Sequence, residues 1–340
     1  MPGTVVHVMG WVSQQYGSFE RFLERLAVRC AEEGLATRLV FPSRPKSEEF
    51  IRNVQAEIQL VPLARHPLDP AAWRGLGRAF EGATHVHAHF GLDAMIAMQQ
   101  ARGRRRFLSK HIIPGQSRIS SLRHRWLGSK AEVFFAVSDR VANDLVSLGV
   151  PKEKVQRVYL GVDTNAYKPA PARPRTRVIL CASHLREGKG VELLPPLARN
   201  LPDATILAAG DGPLRPMLER DAPPNLKILG LRQDIPDLLA SADLFVFPTT
   251  GNEGLGLGPL EAMAAGLPIV ASAVSDLPAI AGDAMHFVPP GDLDALTRAC
   301  RTLLDDERAA LELGACARRA AVERFSVDGA VEAHLARYLA

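Results

Sequence analysis

Short apolar runs of strand length alternate with amphipathic helical patterns along most of the chain, and this alternation limits the fold more than any other feature. Residues 5–9, 36–41, 85–89 and 133–137 read as buried strands, and residues 20–32 and 141–148 as helices between them. A strand–helix–strand rhythm builds a parallel sheet with helices on both faces. Residues 167–175, YKPAPARPR, then place three prolines in a short polar stretch, which favours an extended linker. Beyond it the rhythm restarts, with a strand at 178–183, a helix at 191–200 and a strand at 205–209. The 340 residues suit two domains at about 100–200 residues each. The expected architecture is two Rossmann-like domains joined by a hinge near residues 161–175. Ligands of open parallel sheets bind beyond the carboxyl ends of the strands. Two such domains facing each other would enclose a cleft, with functional residues just after strands.

Composition narrows the class. Hydrophobic residues make up 47% and charged residues 23%, ordinary values for a globular protein. Cys30, Cys181, Cys300 and Cys316 are widely spaced, without a CxxC pair, so neither a zinc site nor a disulfide framework is expected. No secretory leader is evident at the N-terminus, and no run approaches the roughly 18 apolar residues of a membrane span, so the expected location is the cytoplasm. Residues 1–165 hold 23 Lys and Arg against 15 Asp and Glu, a net of +8, while the remainder holds 18 against 22, a net of −4. A basic N-terminal half suits an anionic partner or a solvated surface. With four Tyr and three Trp in the whole chain, no interleaved aromatic and basic surface points to nucleic acid.

Residues 247–272, FPTTGNEGLGLGPLEAMAAGLPIVAS, carry the clearest chemistry. A strand at 244–247 leads into a glycine-rich loop, and Pro259 fits the first turn of a helix, where its missing N–H costs nothing. Gly266 fits the position just past that helix, with Pro268 as a stop and a strand at 269–272. N–H groups around Gly256–Gly258 at a helix N-terminus attract phosphate. Glu253 and Glu261, eight residues apart, can point into one ligand space and accept hydrogen bonds from sugar or ribose hydroxyls. An acidic residue in a first helical turn also serves as a cap, which is the plainer reading of Glu261 by itself.

The segment from Glu253 to Glu261 resembles the EX7E motif of retaining glycosyltransferases of family GT4. Five further segments extend the resemblance: VHAHFG from Val86, AVSDRVANDL from Ala136, LGVDTNAYKP from Leu160, AAGDGP from Ala208 and LGLRQDIPDLLASADLFVFP from Leu229. It implies an α/β fold of the GT-B type, two Rossmann-like domains facing across an interdomain cleft. The acceptor-side domain would span residues 1–165 and the donor domain 166–322, with a C-terminal helix at 323–340 packing back on the first. It implies that Glu253 lies beside the donor sugar, that Glu261 binds the ribose, and that Gly254, Leu255, Gly256 and Leu257 meet the sugar and diphosphate. Lys189 matches the family's phosphate-binding lysine and His89 the second His of its H-x-H, so Glu253, His89 and Lys189 carry the expected catalysis. Gly17, Ser18, His184 and Gly210 complete the expected donor site, and His87 reads as a core histidine. Three positions depart from the family: Gly17-Ser18 replaces Gly-Gly, His184 replaces the Arg of G-R-L, and Pro278-Ala279 replaces Pro-Glu. The second removes a permanent cation from the diphosphate site.

Two other signals have simpler readings. Asp292-Leu293-Asp294 is formally a DxD metal motif, but it opens an amphipathic helix and reads as an N-cap, so no metal is expected. Residues 118–130, RISSLRHRWLGSK, place Ile119, Leu122, Trp126 and Leu127 near one helical face among arginines. A helix packed on the sheet, one lying in a membrane interface and an acceptor-binding rim all fit.

The expected function is therefore a retaining, metal-independent, hexosyl-type glycosyltransferase without an organic cofactor. It would take a UDP- or GDP-type nucleotide sugar as co-substrate and form an α-linkage to a small-molecule, glycan or lipid-linked acceptor. Peripheral contact with an anionic membrane on its inner face is a further expectation. A nucleotide-sugar-binding protein of the same fold, weakened at His184 and Ser18, is the alternative. An NAD oxidoreductase fits less well, because Gly210-Asp-Gly212-Pro213 lacks GxGxxG spacing.

Overall fold

The computed structural model describes residues 3–12, 17–62, 64, 66–89, 93–111, 117–159, 161–251 and 256–340. The chain forms two α/β units, residues 1–161 with 327–340, and residues 162–326.

In the first unit the elements run β1 (Gly3–Val8), α1 (Ser18–Glu32), β2 (Leu35–Phe41), α2 (Glu48–Asn53), β3 (Glu57–Leu60), α3 (Pro70–Ala79) and β4 (His85–Ala88). They continue with α4 (Asp93–Gln100), β5 (Arg105–Lys110), α5 (Arg118–Lys130), β6 (Val133–Ala136), α6 (Asp139–Ser147) and β7 (Val155–Arg157). All seven strands are parallel, in the order β3-β2-β1-β4-β5-β6-β7. Local chemistry sets the helix starts. Ser138 caps α6 by accepting from the Val141 N–H at 3.1 Å, and Glu20 reaches back to the Gly17 N–H at 3.1 Å to open α1. Phe22, Leu26 and Cys30 of α1, one turn apart, are almost fully buried, with Leu23 beside Phe22 on the same face.

The second unit runs β8 (Val178–Ala182), α7 (Leu194–Asn200), β9 (Thr205–Ala209), α8 (Arg215–Asp221), β10 (Leu226–Gly230), α9 (Ile235–Ser241) and β11 (Leu244–Phe247). It continues with α10 (Leu257–Ala264), β12 (Ile269–Ser272), α11 (Leu277–Ala281), β13 (His286–Val288), α12 (Leu293–Asp305) and α13 (Glu307–Arg324). Its six parallel strands take the order β10-β9-β8-β11-β12-β13. Ile179, Leu197, Ile206, Leu244, Val270 and Leu303 share one buried core. Gly266 follows α10 at φ +70°, a conformation that favours glycine. Asp292 accepts from the Ala295 N–H at 2.8 Å and so caps α12. The helix expected from residue 191 starts as a 3-10 turn, and α7 proper begins at Leu194 with prolines in its first turn, where their missing N–H groups bond nothing.

The last helix, α14 (Val327–Leu339), belongs to the first unit. Arg25 and Arg29 of α1 pair with Asp328 and Glu332 at 2.6 and 2.7 Å, and His85 and Arg105 meet the Tyr338 carbonyl at 3.0 and 2.8 Å. The unit boundary lies at residues 161/162 and 326/327, where the sequence suggested 165 and 322. Val162 donates its N–H to the Phe325 carbonyl at 2.8 Å and bridges Ser326, so residues 162–165 stay with the second unit. The proline-rich stretch is extended but not a loose linker. Arg173 pairs with the buried Asp243 at 3.1 Å, whose carboxylate also accepts from the Thr176 and Val178 N–H groups at 2.9 and 3.0 Å. A buried charge is held by partners of this kind. All four cysteines are thiols. Among the described residues, no helix is long and apolar enough to cross a membrane.

Candidate active site

The strand order turns back between β8 and β11 in the second unit, so the crevice at their carboxyl ends is where a ligand site forms in such a sheet. Three loops meet there. The loop after β8 is laced to the loop after β9: the Leu185 N–H donates to the Asp211 carbonyl at 3.0 Å, and the Leu214 N–H to the Leu185 carbonyl at 2.8 Å. A Cβ on Gly210 would stand 1.9 Å from the Ser183 carbonyl oxygen, so only glycine fits. The same β8 loop is tied to the loop after β11. The Gly188 carbonyl accepts from the Thr250 N–H (3.0 Å), the Gly251 N–H (2.8 Å) and the Thr249 hydroxyl (2.7 Å). Gly190, at φ +68°, would put a Cβ 1.8 Å from the Pro248 carbonyl oxygen.

This knot holds the backbone on either side of Lys189. Lys189 is half-buried between the two tied glycines. Its charge acts to lower the Cys181 thiol of β8, which burial nonetheless pushes up to about 12. Gly256 is the N-cap of α10, with no side chain capping it, and a Cβ on Gly258 would approach the Ala182 carbonyl of β8 to 3.2 Å. Leu257 opens the helix, and Glu261 is half-buried on its second turn. The N–H groups of the first helical turn, with the macrodipole behind them, suit an anion. His184 is exposed, and its backbone carbonyl accepts from the Arg186 N–H at 3.0 Å. Glu253, Gly254 and Leu255 lie outside the described residues, as do Gly91 and Leu160 of the resembling segments.

The sequence reading missed Arg186. It is exposed two positions beyond His184, its guanidinium meets only the Glu187 carbonyl among the described partners, and no acidic side chain among the described residues neutralises it. Its place between β8 and Lys189 was the available signal.

The first sheet turns back between β1 and β4, and there the structure gathers histidines. His7 of β1 and His87 of β4 are register partners, and His89 lies just beyond on the same face. His7 Nδ1 is 3.0 Å from His89 Nε2, and His89 Nδ1 is 3.1 Å from His111 Nε2. His87 meets the Tyr338 hydroxyl at 2.5 Å and Ser109 at 2.8 Å, while His334 of α14 stacks 5.6 Å from it. Burial holds His7 and His111 at about 3 and His334 at about 4, and holds His87 and His89 well below the usual range with the help of neighbouring imidazoles. The cluster is therefore neutral at pH 7. His89 has hydrogen-bonding partners at both ring nitrogens, so its imidazole is held in place and uncharged. His7, His87 and His89 each bring one ring nitrogen within 4.8 Å of the others, a spacing that could take a metal ion. In this structure those nitrogens face one another, His111, Tyr338 and Ser109, apart from His7 Nε2, which is buried with no partner among the described residues. Gly17 and Ser18 sit at the start of α1, where Glu20 occupies the Gly17 N–H and Ser18 is buried.

A family model described as Glycosyltransferase Family 4 matches residues 19–166, and one described as Glycosyl transferases group 1 matches residues 176–306. The chain is 36% identical to the MMP alpha-(1->4)-mannosyltransferase of Mycolicibacterium hassiacum over 56% of this chain and 49% of that protein. It is 30% identical to the GDP-mannose-dependent monoacylated alpha-(1-6)-phosphatidylinositol monomannoside mannosyltransferase of Corynebacterium glutamicum, over 67% of this chain and 70% of that one. The chain spans 49%, 60% and 42% of the length of the first three curated relatives it matches. Among solved structures, Anabaena HepE in complex with UDP superposes with a TM-score of 0.82 at 19% identity, covering 99% of both chains. That likeness concerns the fold, which is GT-B.

Proposed function

The chain belongs to glycosyltransferase family 4, and on that premise we propose that it is a retaining, metal-independent enzyme transferring a hexosyl group from a UDP- or GDP-type nucleotide sugar. The product is α-linked, and neither metal nor organic cofactor is required. The observation that carries this reading is the knot of three loops at the β8–β11 turn, which presents Lys189 and the N-terminus of α10 at one end of the sheet. The diphosphate rests on the first N–H groups of α10, beginning at Leu257, with Lys189 neutralising its charge. Glu261 accepts from the ribose hydroxyls, and Glu253 with Gly254 and Leu255 holds the sugar. As the glycosidic carbon–oxygen bond breaks, its electron pair goes to the diphosphate, whose oxygen takes the proton of the incoming acceptor hydroxyl. The hydroxyl oxygen bonds to the same face of the anomeric carbon. His89 contributes as a neutral, oriented group.

The relatives' names place two mannosyltransferases with alpha linkage near this chain, and one of them works on a phosphatidylinositol mannoside. They support an α-linkage, a mannose donor and a lipid-linked acceptor, with the basic first unit in peripheral contact with an anionic membrane.

The test is a thermal-shift series with UDP, GDP and their sugars, followed by transfer and donor hydrolysis in excess EDTA and by anomeric assignment of the product. A nucleotide diphosphate should raise the melting temperature, and turnover should persist in EDTA with an α-product. Glu253→Ala should lower turnover by about 10²-fold or more in a folded protein. Nucleotide binding without transfer or hydrolysis would leave a nucleotide-sugar-binding protein instead. Activity lost in EDTA and restored by Mg²⁺ or Mn²⁺ would overturn metal independence.

A further inference from the structure

Helix α5 is seated in an unusual way. Its buried side consists of Ser120, His124, Leu127 and Gly128, mostly small or polar residues. Gly128 lets it sit close to the loop after α6, since a Cβ there would come within 3.2 Å of Val150 and Pro151. Lys154 closes its C-terminal end by donating to the Gly128 and Ala131 carbonyls, both at 2.9 Å. The large apolar residues face the other way: Ile119 is 81% exposed and Leu122 68%. Leu127, expected on the same face, is buried instead, because at 3.6 residues per turn it stands about 140° round the helix from Leu122 and about 100° from Trp126.

Round the outward side, the helical period places Leu122, Trp126 and Ile119 in the middle. Arg118 and Arg125 flank them on one side, and Arg123 and Lys130 on the other. The Lys130 ammonium stands 6.0 Å from the centre of the Trp126 ring. The thirteen residues contain no Asp or Glu, and among the described residues no carboxylate pairs with any of these four cations. An apolar stripe between two basic edges is the arrangement by which a helix lies in the headgroup region of an anionic bilayer, apolar side chains down and cations at the phosphates. A second copy of the helix is a poor occupant, since four uncompensated cations would face four more.

We propose that the outward face of α5, centred on Ile119, Leu122 and Trp126 and edged by Arg118, Arg123, Arg125 and Lys130, docks the protein on an anionic lipid surface. This deepens the peripheral membrane contact proposed above and rests on it, and is independent of sugar transfer.

The experiment is flotation of the full chain with vesicles of phosphatidylcholine alone or with phosphatidylglycerol added, at low and at high salt. Wild type floats with the anionic vesicles, and the bound fraction falls as salt rises. The pair Arg118→Ser and Arg125→Ser weakens partitioning by about 25-fold, at about fivefold for each cation lost near the surface. The pair Ile119→Glu and Leu122→Glu weakens it by about tenfold or more, through lost apolar insertion and added repulsion. All four side chains are exposed, so folding should survive, as circular dichroism checks. Donor hydrolysis stays at the wild-type rate in both variants. Wild type that does not float overturns both the docking face and the membrane contact, while leaving transfer untouched. Wild type that floats equally well with either pair substituted places the contact elsewhere and overturns the assignment to α5. Unchanged flotation with loss of a dimer on gel filtration makes the face a self-interface and likewise overturns it.

Discussion

The Nδ1 of His7 lies 3.0 Å from the Nε2 of His89, with both rings out of water. His89 continues through its Nδ1 to His111 Nε2 at 3.1 Å, and His7 ends the row with a buried Nε2 that has no partner among the described residues. A buried N–H without an acceptor is the rarer and costlier kind of orphan. His7 therefore carries its proton on Nδ1 and donates to His89. His89 donates in turn from Nδ1 to His111, which is left protonated on Nδ1 as well. His87 is the reverse. Burial keeps the Tyr338 phenol protonated, so it donates to His87 Nδ1, and His87 donates from Nε2 to Ser109. Long-range ¹H–¹⁵N spectra should show three Nδ1–H rings and one Nε2–H ring in this set. An Nε2–H signal from His7 would reverse the row and undo the assignment.

The same burial makes the first unit acid-labile. For His7, His111 and His334 the folded value is depressed to about 3, 3 and 4, against an unfolded value near 6.5. With the folded value depressed, the unfolded chain binds more protons below about pH 6.5, so stability present at neutral pH is lost as pH falls from there toward 4. Each imidazole contributes about 1.4 kcal/mol per pH unit in that window. Urea unfolding at pH 7, 6 and 5 should give stabilities falling with a slope of three or more protons near pH 5. A slope below one proton would mean that the rings are hydrated or already charged.

The second unit was legible because its signals are local. Pro259, Gly266 and Pro268 mark the start and end of α10 within a dozen residues, and Asp292 announces its cap three residues ahead of the N–H it accepts. The histidine cluster was not legible. His7, His87, His111 and His334 are brought together by strand order and by α14, across separations of up to 327 residues that no periodicity encodes. The facing of α5 was half legible. Its period was visible, but which side meets the sheet depends on Gly128 approaching Val150, a contact between elements.

Sterics separate Gly190, in the loop after β8, from Gly34, in the turn between α1 and β2. Gly34 and Gly190 both have positive φ, +74° and +68°, but a Cβ on Gly34 meets nothing within 4 Å, while one on Gly190 meets the Pro248 carbonyl at 1.8 Å. Gly34→Ala should cost about 1–2 kcal/mol, the strain of the left-handed backbone. Gly190→Ala must also part the two tied loops and should cost about 3 kcal/mol or more. It should weaken UDP or GDP binding as well, whereas Gly34→Ala leaves binding unchanged. Equal losses in urea midpoint for the two variants would show that the loops yield freely and do not set the floor of the site.

His184, at the position where the resemblance implies an arginine, is exposed on the β8 loop with its own carbonyl tied to the Arg186 N–H. If its side chain meets the donor diphosphate, the contact is made by an imidazole with at most two N–H donors, where an arginine would bring a permanently charged fork of five. A charge-assisted hydrogen bond is stronger than a neutral one by about 1 kcal/mol, roughly fivefold in Kd. His184→Arg should therefore tighten UDP or GDP binding by up to about that factor. Calorimetry at pH 8 reads the difference. Equal Kd values for wild type and His184→Arg would remove His184 from the diphosphate. The charge there would then rest on Lys189, the α10 N-terminus and Arg186, and Arg186→Ala should in that case weaken the nucleotide by more than His184→Ala does.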